Sequence, residues 1–124
     1  MSFTSVEEAV LTWIATHTAD ANLQAQIAAV VPGKREETSI GFFTELVLPS
    51  DFDVAGLPAD GSKIALQGCA LLAPELDPCA TCLLHTDGGR VVSLEVYAVA
   101  DGHPLRVSAF SVEGEDDNYV DLRQ

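Results

Sequence analysis

The spacing of apolar residues along this chain changes period once. Across residues 4–31 it is helical. Val6, Val10, Trp13, Ile14 and His17 fall on one stripe, and Leu23, Ile27, Val30 and Val31 on a second. Thr4 or Ser5 can cap the first helix, with Glu7 or Glu8 completing a capping box. Thr18 or Asp20 can cap the second, and Pro32-Gly33 ends it. A break around Asp20-Ala21-Asn22 gives two short helices rather than one long one. From Ile40 the period becomes two. Phe42, Thr44, Leu46 and Leu48 lie on one side of a strand, and Phe43, Glu45 and Val47 on the other, with Pro49 ending it. Residues 49–62, rich in proline and glycine, read as a loop. Ile64 to Ala73 is apolar enough for a buried strand, and Pro74 to Pro78 is a second loop. Asp101-Gly102-His103-Pro104 reads as a turn and Leu105 to Val112 as a last strand.

Between these segments lies the strongest local signal, Asp87-Gly88-Gly89, which accepts the positive φ of a hairpin turn. A three-residue loop pairs Thr86 with Arg90. Leu84 then faces Val92, Cys82 faces Leu94 and Ala80 faces Val96, on one apolar face. The opposite face pairs His85 with Val91, Leu83 with Ser93, Thr81 with Glu95 and Cys79 with Tyr97. A two-residue loop shifts the pairing by one and sets core residues on the wrong side, so the longer loop is expected.

Helices followed by strands predict an α+β fold rather than a βαβ repeat. Two N-terminal helices should pack on one face of an antiparallel sheet of four to six strands. Residues 1–124 read as a single domain with an acidic C-terminal tail at about 113–124, in which Tyr119, Val120 and Leu122 offer a short docking segment. Composition agrees: 48% hydrophobic and 20% charged residues suit a packed core, not a disordered chain.

Charge narrows the function classes. Nineteen acids against 6 bases give a formal net charge of −13. Phosphate backbones and anionic membrane surfaces are repelled, because both are bound mainly through Lys and Arg. The same charge could suit a basic protein partner, although solubility alone is the simpler reading of it. No apolar run reaches the roughly 20 residues of a membrane helix. The first basic residue is Lys34, so no secretory leader is expected and the reading is cytoplasmic.

Few constellations carry chemistry. Cys79-Ala80-Thr81-Cys82 followed by His85, with Cys69 upstream, is the nearest to a metal site. Strand alternation separates Cys79 from Cys82, and Cys82 from His85. Cys79 and Cys82 are weak metal candidates, and the simpler reading is that Cys69 and Cys82 are small buried hydrophobes. A redox role for Cys79 and Cys82 is disfavoured because their motif runs into a strand. His85 and Glu95 share a face with Tyr97, and with Glu45 and Phe43 if strand 40–48 joins the same sheet. A histidine and a carboxylate there could transfer protons, but no nucleophile or oxyanion motif accompanies them. His17 falls at the packing edge of the first helix and His103 in a turn. Asp51-Phe52-Asp53 and Glu115-Asp116-Asp117-Asn118 lack the spacing of a calcium loop. No phosphate-binding glycine loop, G-x-S-x-G or H-E-x-x-H motif occurs, and no cofactor is expected.

Gly41-Phe42-Phe43-Thr44, the Asp-Gly hairpin and Leu94-Glu95-Val96-Tyr97 together resemble a group of small bacterial proteins. In that group a GFFT-type strand precedes one reading leucine-glutamate-glycine-tyrosine. The resemblance covers about residues 35–105. This chain departs from it at Val96, where the group tends to have glycine, and at the extra hairpin residue Gly89. The resemblance implies a helix-plus-sheet domain and no particular activity.

The expected function is therefore binding rather than catalysis: a non-enzymatic cytoplasmic protein that engages a protein partner or itself, as a homodimer. Its contact residues would be Phe43, Glu45, Leu83, His85, Glu95 and Tyr97. Two alternatives remain open, a small enzyme using Glu95, Tyr97 and His85, and a Cys/His metal-binding protein.

Overall fold

The computed structural model describes residues 2–52, 63–114 and 120–123. The first helix, α1 (Ser5–His17), starts where the sequence places it. The Thr4 hydroxyl accepts the Glu7 N–H at 3.2 Å, and Glu7 Oε1 accepts the Thr4 N–H at 2.8 Å. Reciprocal bonds of this kind satisfy donors that a helix start leaves open. Asp20 caps α2 (Ala21–Ala29), its Oδ1 accepting the N–H groups of Asn22 and Leu23. The Gln24 amide reaches back to the carbonyls of Ala15 and Thr18, closing the C-terminal end of α1.

The chain then enters a strand that the sequence reading treated as a helix terminator. β1 (Val31–Glu37) pairs antiparallel with β2 (Gly41–Val47), with an irregularity between Pro32 and Arg35. Pro32 and Gly33 signalled only a break, and Val-Pro-Gly-Lys-Arg-Glu-Glu has no apolar alternation. An edge strand tolerates both features, since proline there removes no interior ladder bond and charge protects the free edge.

The remaining strands are β3 (Lys63–Leu72), β4 (Ala80–Asp87), β5 (Arg90–Ala98), β6 (Ser111–Gly114) and β7 (Val120–Arg123). All pairings are antiparallel, in the order β1-β2-β5-β4-β3-β6, and the short β7 pairs with β3 beside β6. The fold is α+β, two N-terminal helices with an antiparallel sheet, as the sequence implies. Where a long last strand was expected at 105–112, the chain turns irregularly from His103 to Phe110, and only Ser111 onward joins the sheet. Leu105, Val107 and Phe110 pack against the core from this irregular segment, so their apolar character reflects packing rather than a strand. Of the acidic tail, Glu113 and Gly114 belong to β6 and residues 120–123 form β7. Residues 115–119, with the acidic cluster beginning at Glu115, lie outside the described residues, as does most of the 49–62 loop, including Asp53.

The core lies between the helices and one sheet face. α1 packs against β3 and β6, and α2 against β5. Val6, Val10, Leu11, Ile14 and Leu23 meet Phe42, Leu46, Cys69, Leu71, Cys82, Leu84, Leu94 and Val96. Trp13, placed on the buried stripe by its spacing, sits half-buried at its edge, and Leu11 takes the interior position.

The hairpin register differs from the sequence expectation. Gly88 and Gly89 both have positive φ, 61° and 82°, and form a two-residue turn that pairs Asp87 with Arg90. Thr86 pairs with Val91, but His85 pairs with Ser93, leaving Val92 as the extra residue of a β-bulge. The bulge restores alternation after the short turn. Leu84 faces Leu94, Cys82 faces Val96 and Ala80 faces Ala98. Val91 is buried and Val92 is 40% exposed, the reverse of the expectation. The open-face pairs become His85 with Ser93, Leu83 with Glu95 and Thr81 with Tyr97.

Gly41-Phe42-Phe43-Thr44 and Leu94-Glu95-Val96-Tyr97 are partners across the centre of the sheet. Gly41 faces Tyr97, Phe42 faces Val96, Phe43 faces Glu95 and Thr44 faces Leu94. A Cβ on Gly41 would lie 2.0 Å from the Val96 carbonyl oxygen and 2.6 Å from the Tyr97 Cα, so only glycine fits.

Candidate functional site

The helices cover one face of the sheet. Among the described residues the second is open around β2 and the start of β5, whereas Ala70 of β3 and Thr81 of β4, on its far side, are buried. Strand alternation places all six candidate binding residues on this second face, on three adjacent strands. Phe43 of β2, Glu95 of β5 and Leu83 of β4 form one row across the strands. Glu45, Ser93 and His85 form the next, and Tyr97 lies beside Thr81 in a third. Phe43, Val47 and Val92 are each about two-fifths exposed, at 37%, 41% and 40%. Val31 of β1, paired with Val47, extends the apolar area toward the edge. Leu83, His85, Glu95 and Tyr97 are half-buried.

Polar groups on this face hold defined positions. His85 Nε2 lies 2.9 Å from Glu95 Oε1. The carboxylate accepts, so Nε2 is the donor. The Phe43 and His85 rings are 6.4 Å apart and tilted by 32°. A depression of about 330 Å³ lies beside them, lined by Lys34, Glu36, Phe43, Glu45, Val92 and Ser93. It includes neither His85 nor Glu95. The Glu45 carboxylate folds over β1, accepting the Lys34 backbone N–H at 3.4 Å, and a Cβ on Gly33 would lie 2.1 Å from its Oε1. Lys34 Nζ reaches Glu36 at 3.3 Å.

The cysteines and His85 do not converge. Cys69 and Cys82 face each other across β3 and β4, buried on the helix side of the sheet, while His85 is on the open side. Hydrogen bonding with Cys69 and burial push the Cys82 thiol well above its usual range. Cys79 is half-buried, just before β4. Among the described residues no three His, Cys, Asp or Glu side chains are grouped to hold a metal ion.

The other histidines have specific partners. His103 is buried; its Nε2 donates to the Thr38 carbonyl at 2.9 Å, and its Nδ1 accepts the Leu105 N–H at 3.2 Å. It ties the irregular segment after β5 to the turn between β1 and β2. His17 Nδ1 donates to the Trp13 carbonyl at 2.8 Å, and its ring stacks on Trp13 at 4.0 Å. Both rings border a groove of about 600 Å³ between α1 and β6.

Two polar clusters escaped the sequence reading. Glu7, fully buried, accepts hydrogen bonds from Arg35 Nε at 2.8 Å and Arg35 Nη2 at 2.6 Å, and from the Thr44 hydroxyl. Burial raises the Glu7 pKa, but the bonds from Arg35, Thr44 and the Thr4 N–H outweigh it and hold the carboxyl below its ordinary value. The Glu7 carboxylate in turn raises the Arg35 pKa. The one legible signal was Thr44, a polar residue among Phe42, Leu46 and Leu48 on the core face. The second cluster centres on Gln26, whose Oε1 accepts the Val91 N–H at 2.8 Å and whose amide donates to the Gly89 carbonyl at 2.8 Å. No helix among the described residues is long and apolar enough to cross a membrane. In comparison with known proteins, no family model, no curated protein and no solved structure matches the chain.

Proposed function

We propose that this chain is a non-enzymatic cytoplasmic binding protein whose open sheet face docks onto a protein partner. The observation that supports this reading is the exposed set Phe43, Val47 and Val92, flanked by Leu83 and Tyr97, on a face the helices do not cover. Antiparallel sheets solvated on one side normally alternate apolar-in and polar-out. Here the outward positions also carry aromatic and branched residues, the types that anchor interfaces. The test compares wild type with Phe43→Ala and Tyr97→Ala in affinity capture from lysate and in sedimentation over a wide concentration range. Specific association lost in both variants, with little change in their melting temperature, agrees with the reading. A strict monomer that retains nothing, indistinguishable from the variants, counts against it.

One observation favours a second reading, a small enzyme: the His85–Glu95 pair at 2.9 Å, a geometry suited to proton transfer. The neighbouring depression excludes both residues, and no nucleophile lines it. Replacement of Glu95 by Gln separates the two readings. It keeps the shape of the surface and the apolar set Phe43, Val47 and Val92, so docking weakens by no more than one polar contact, whereas a proton-transfer site loses the carboxylate that orients its imidazole.

A further inference from the structure

We propose that the depression between β1, β2 and β5 receives an arginine side chain of a basic protein partner. The inference rests on reading the open sheet face as a docking surface, and adds the chemistry of the occupant. Phe43 and Val92 line it and supply apolar contact for an aliphatic stem, and an aromatic ring in the lining attracts a cation. Glu36 and Glu45 are both lining residues; the Glu45 carboxylate also accepts the long Lys34 N–H bond at 3.4 Å, and a planar guanidinium can engage carboxylates through paired N–H donors. The chain already places a cation of its own here: Lys34 Nζ lies 3.3 Å from Glu36, with both side chains mostly exposed, at 76% and 63%. Such a pair contributes little and exchanges readily, so an incoming arginine can take the place of the lysine.

Whole-molecule charge selects among occupants. With a net charge of −13, a second copy brings like charge against like, and phosphate-bearing surfaces are repelled. A basic protein surface is attracted at long range and held by the carboxylates at contact.

The experiment uses an acetylated, amidated tetra-arginine peptide, with tetra-lysine as comparison, titrated into the full chain at physiological salt. Backbone NMR shifts locate the site and calorimetry gives the affinity. The expected result is saturable shifts concentrated at Phe43, Val92 and Ser93, with tetra-lysine binding more weakly. Glu36→Gln/Glu45→Gln should weaken tetra-arginine about tenfold, the scale of lost charge-assisted hydrogen bonds. Glu8→Gln/Asp51→Asn removes the same charge from exposed positions elsewhere and should change affinity less than twofold. Shifts spread over the acidic surface, or equal losses in the two double variants, overturn the proposal. So does a dimer that Phe43→Ala dissociates and tetra-arginine leaves intact; that outcome keeps the docking reading and rejects its arginine occupant. Lysate capture lost in Phe43→Ala but unchanged in Glu36→Gln/Glu45→Gln does the same.

Discussion

Glu7 joins three parts of the molecule through one carboxylate. It closes the cap of α1, receives Arg35 from β1 and receives Thr44 from β2. A buried ion pair of this kind adds modest net stability, yet removing one partner strands the other charge. Arg35→Met should therefore destabilise the fold by about 3 kcal/mol, the low end of that range because Arg35 keeps 20% of its side chain exposed. Chemical denaturation measures it. The pH dependence follows from the lowered Glu7 pKa. Its stabilising contribution is complete above the ordinary value of 4.5 and is lost as pH falls through the lower folded value. The melting temperature of wild type should fall more steeply with acid than that of Glu7→Gln. Gly41 makes the second residue-scale prediction. The atoms a Cβ would strike there belong mainly to the backbone of β5 and cannot rotate away. Gly41→Ala should cost about 1–3 kcal/mol, as overpacking does, measured by thermal unfolding. The sequence hinted at Thr44, since an apolar stripe carrying a lone hydroxyl needs a partner. It could not name Arg35, because β1 has no periodic pattern from which to read its facing.

Among the elements, the β4–β5 hairpin shows where pattern reading stops. The Gly88-Gly89 turn and the alternating faces of its strands were legible, because glycine conformation and side-chain period are local properties. The bulge at Val92 was not. It places the Val91 N–H toward Gln26, a residue 65 positions earlier in the chain, and no local pattern reports such a partner. Gln26 itself reads as an ordinary polar helix residue, yet it is almost wholly buried, at 1% exposure. Gln26→Ala should cost about 1–3 kcal/mol, because the Val91 N–H is left buried without an acceptor. Hydrogen exchange at the Val91 amide should accelerate by one to two orders of magnitude on that scale. β1 was illegible for a related reason. An edge strand that joins the sheet through an irregular register need not alternate, so its residues signal only a break.

For the molecule as a whole, the α+β architecture was legible from the single change of period near Ile40. The shared face of Phe43, Glu45, Leu83, His85, Glu95 and Tyr97 was legible too, since alternation fixes a face even when cross-strand partners are misassigned. The partners required the three-dimensional register, and the Lys34–Glu36 side of the face required β1. The strand order has a consequence for how the chain reaches this structure. β3, β4 and β5 follow one another as neighbours, whereas β2 pairs with β5 across the whole of β3 and β4. Closing that long loop costs entropy before the β2–β5 contacts are made. The three-strand meander should therefore lead, with β2 docking onto a preformed β5 after the main barrier. In kinetic terms, Phe42→Leu, on the β2 side, should chiefly speed unfolding, while Leu84→Ala, in the meander, should slow refolding. Stopped-flow chevrons of the two variants distinguish this order from its reverse, in which the Phe42 change would slow refolding as much as it destabilises. A late β2 also leaves the edge of β5 unpaired during folding, a strand edge on which a second chain can assemble.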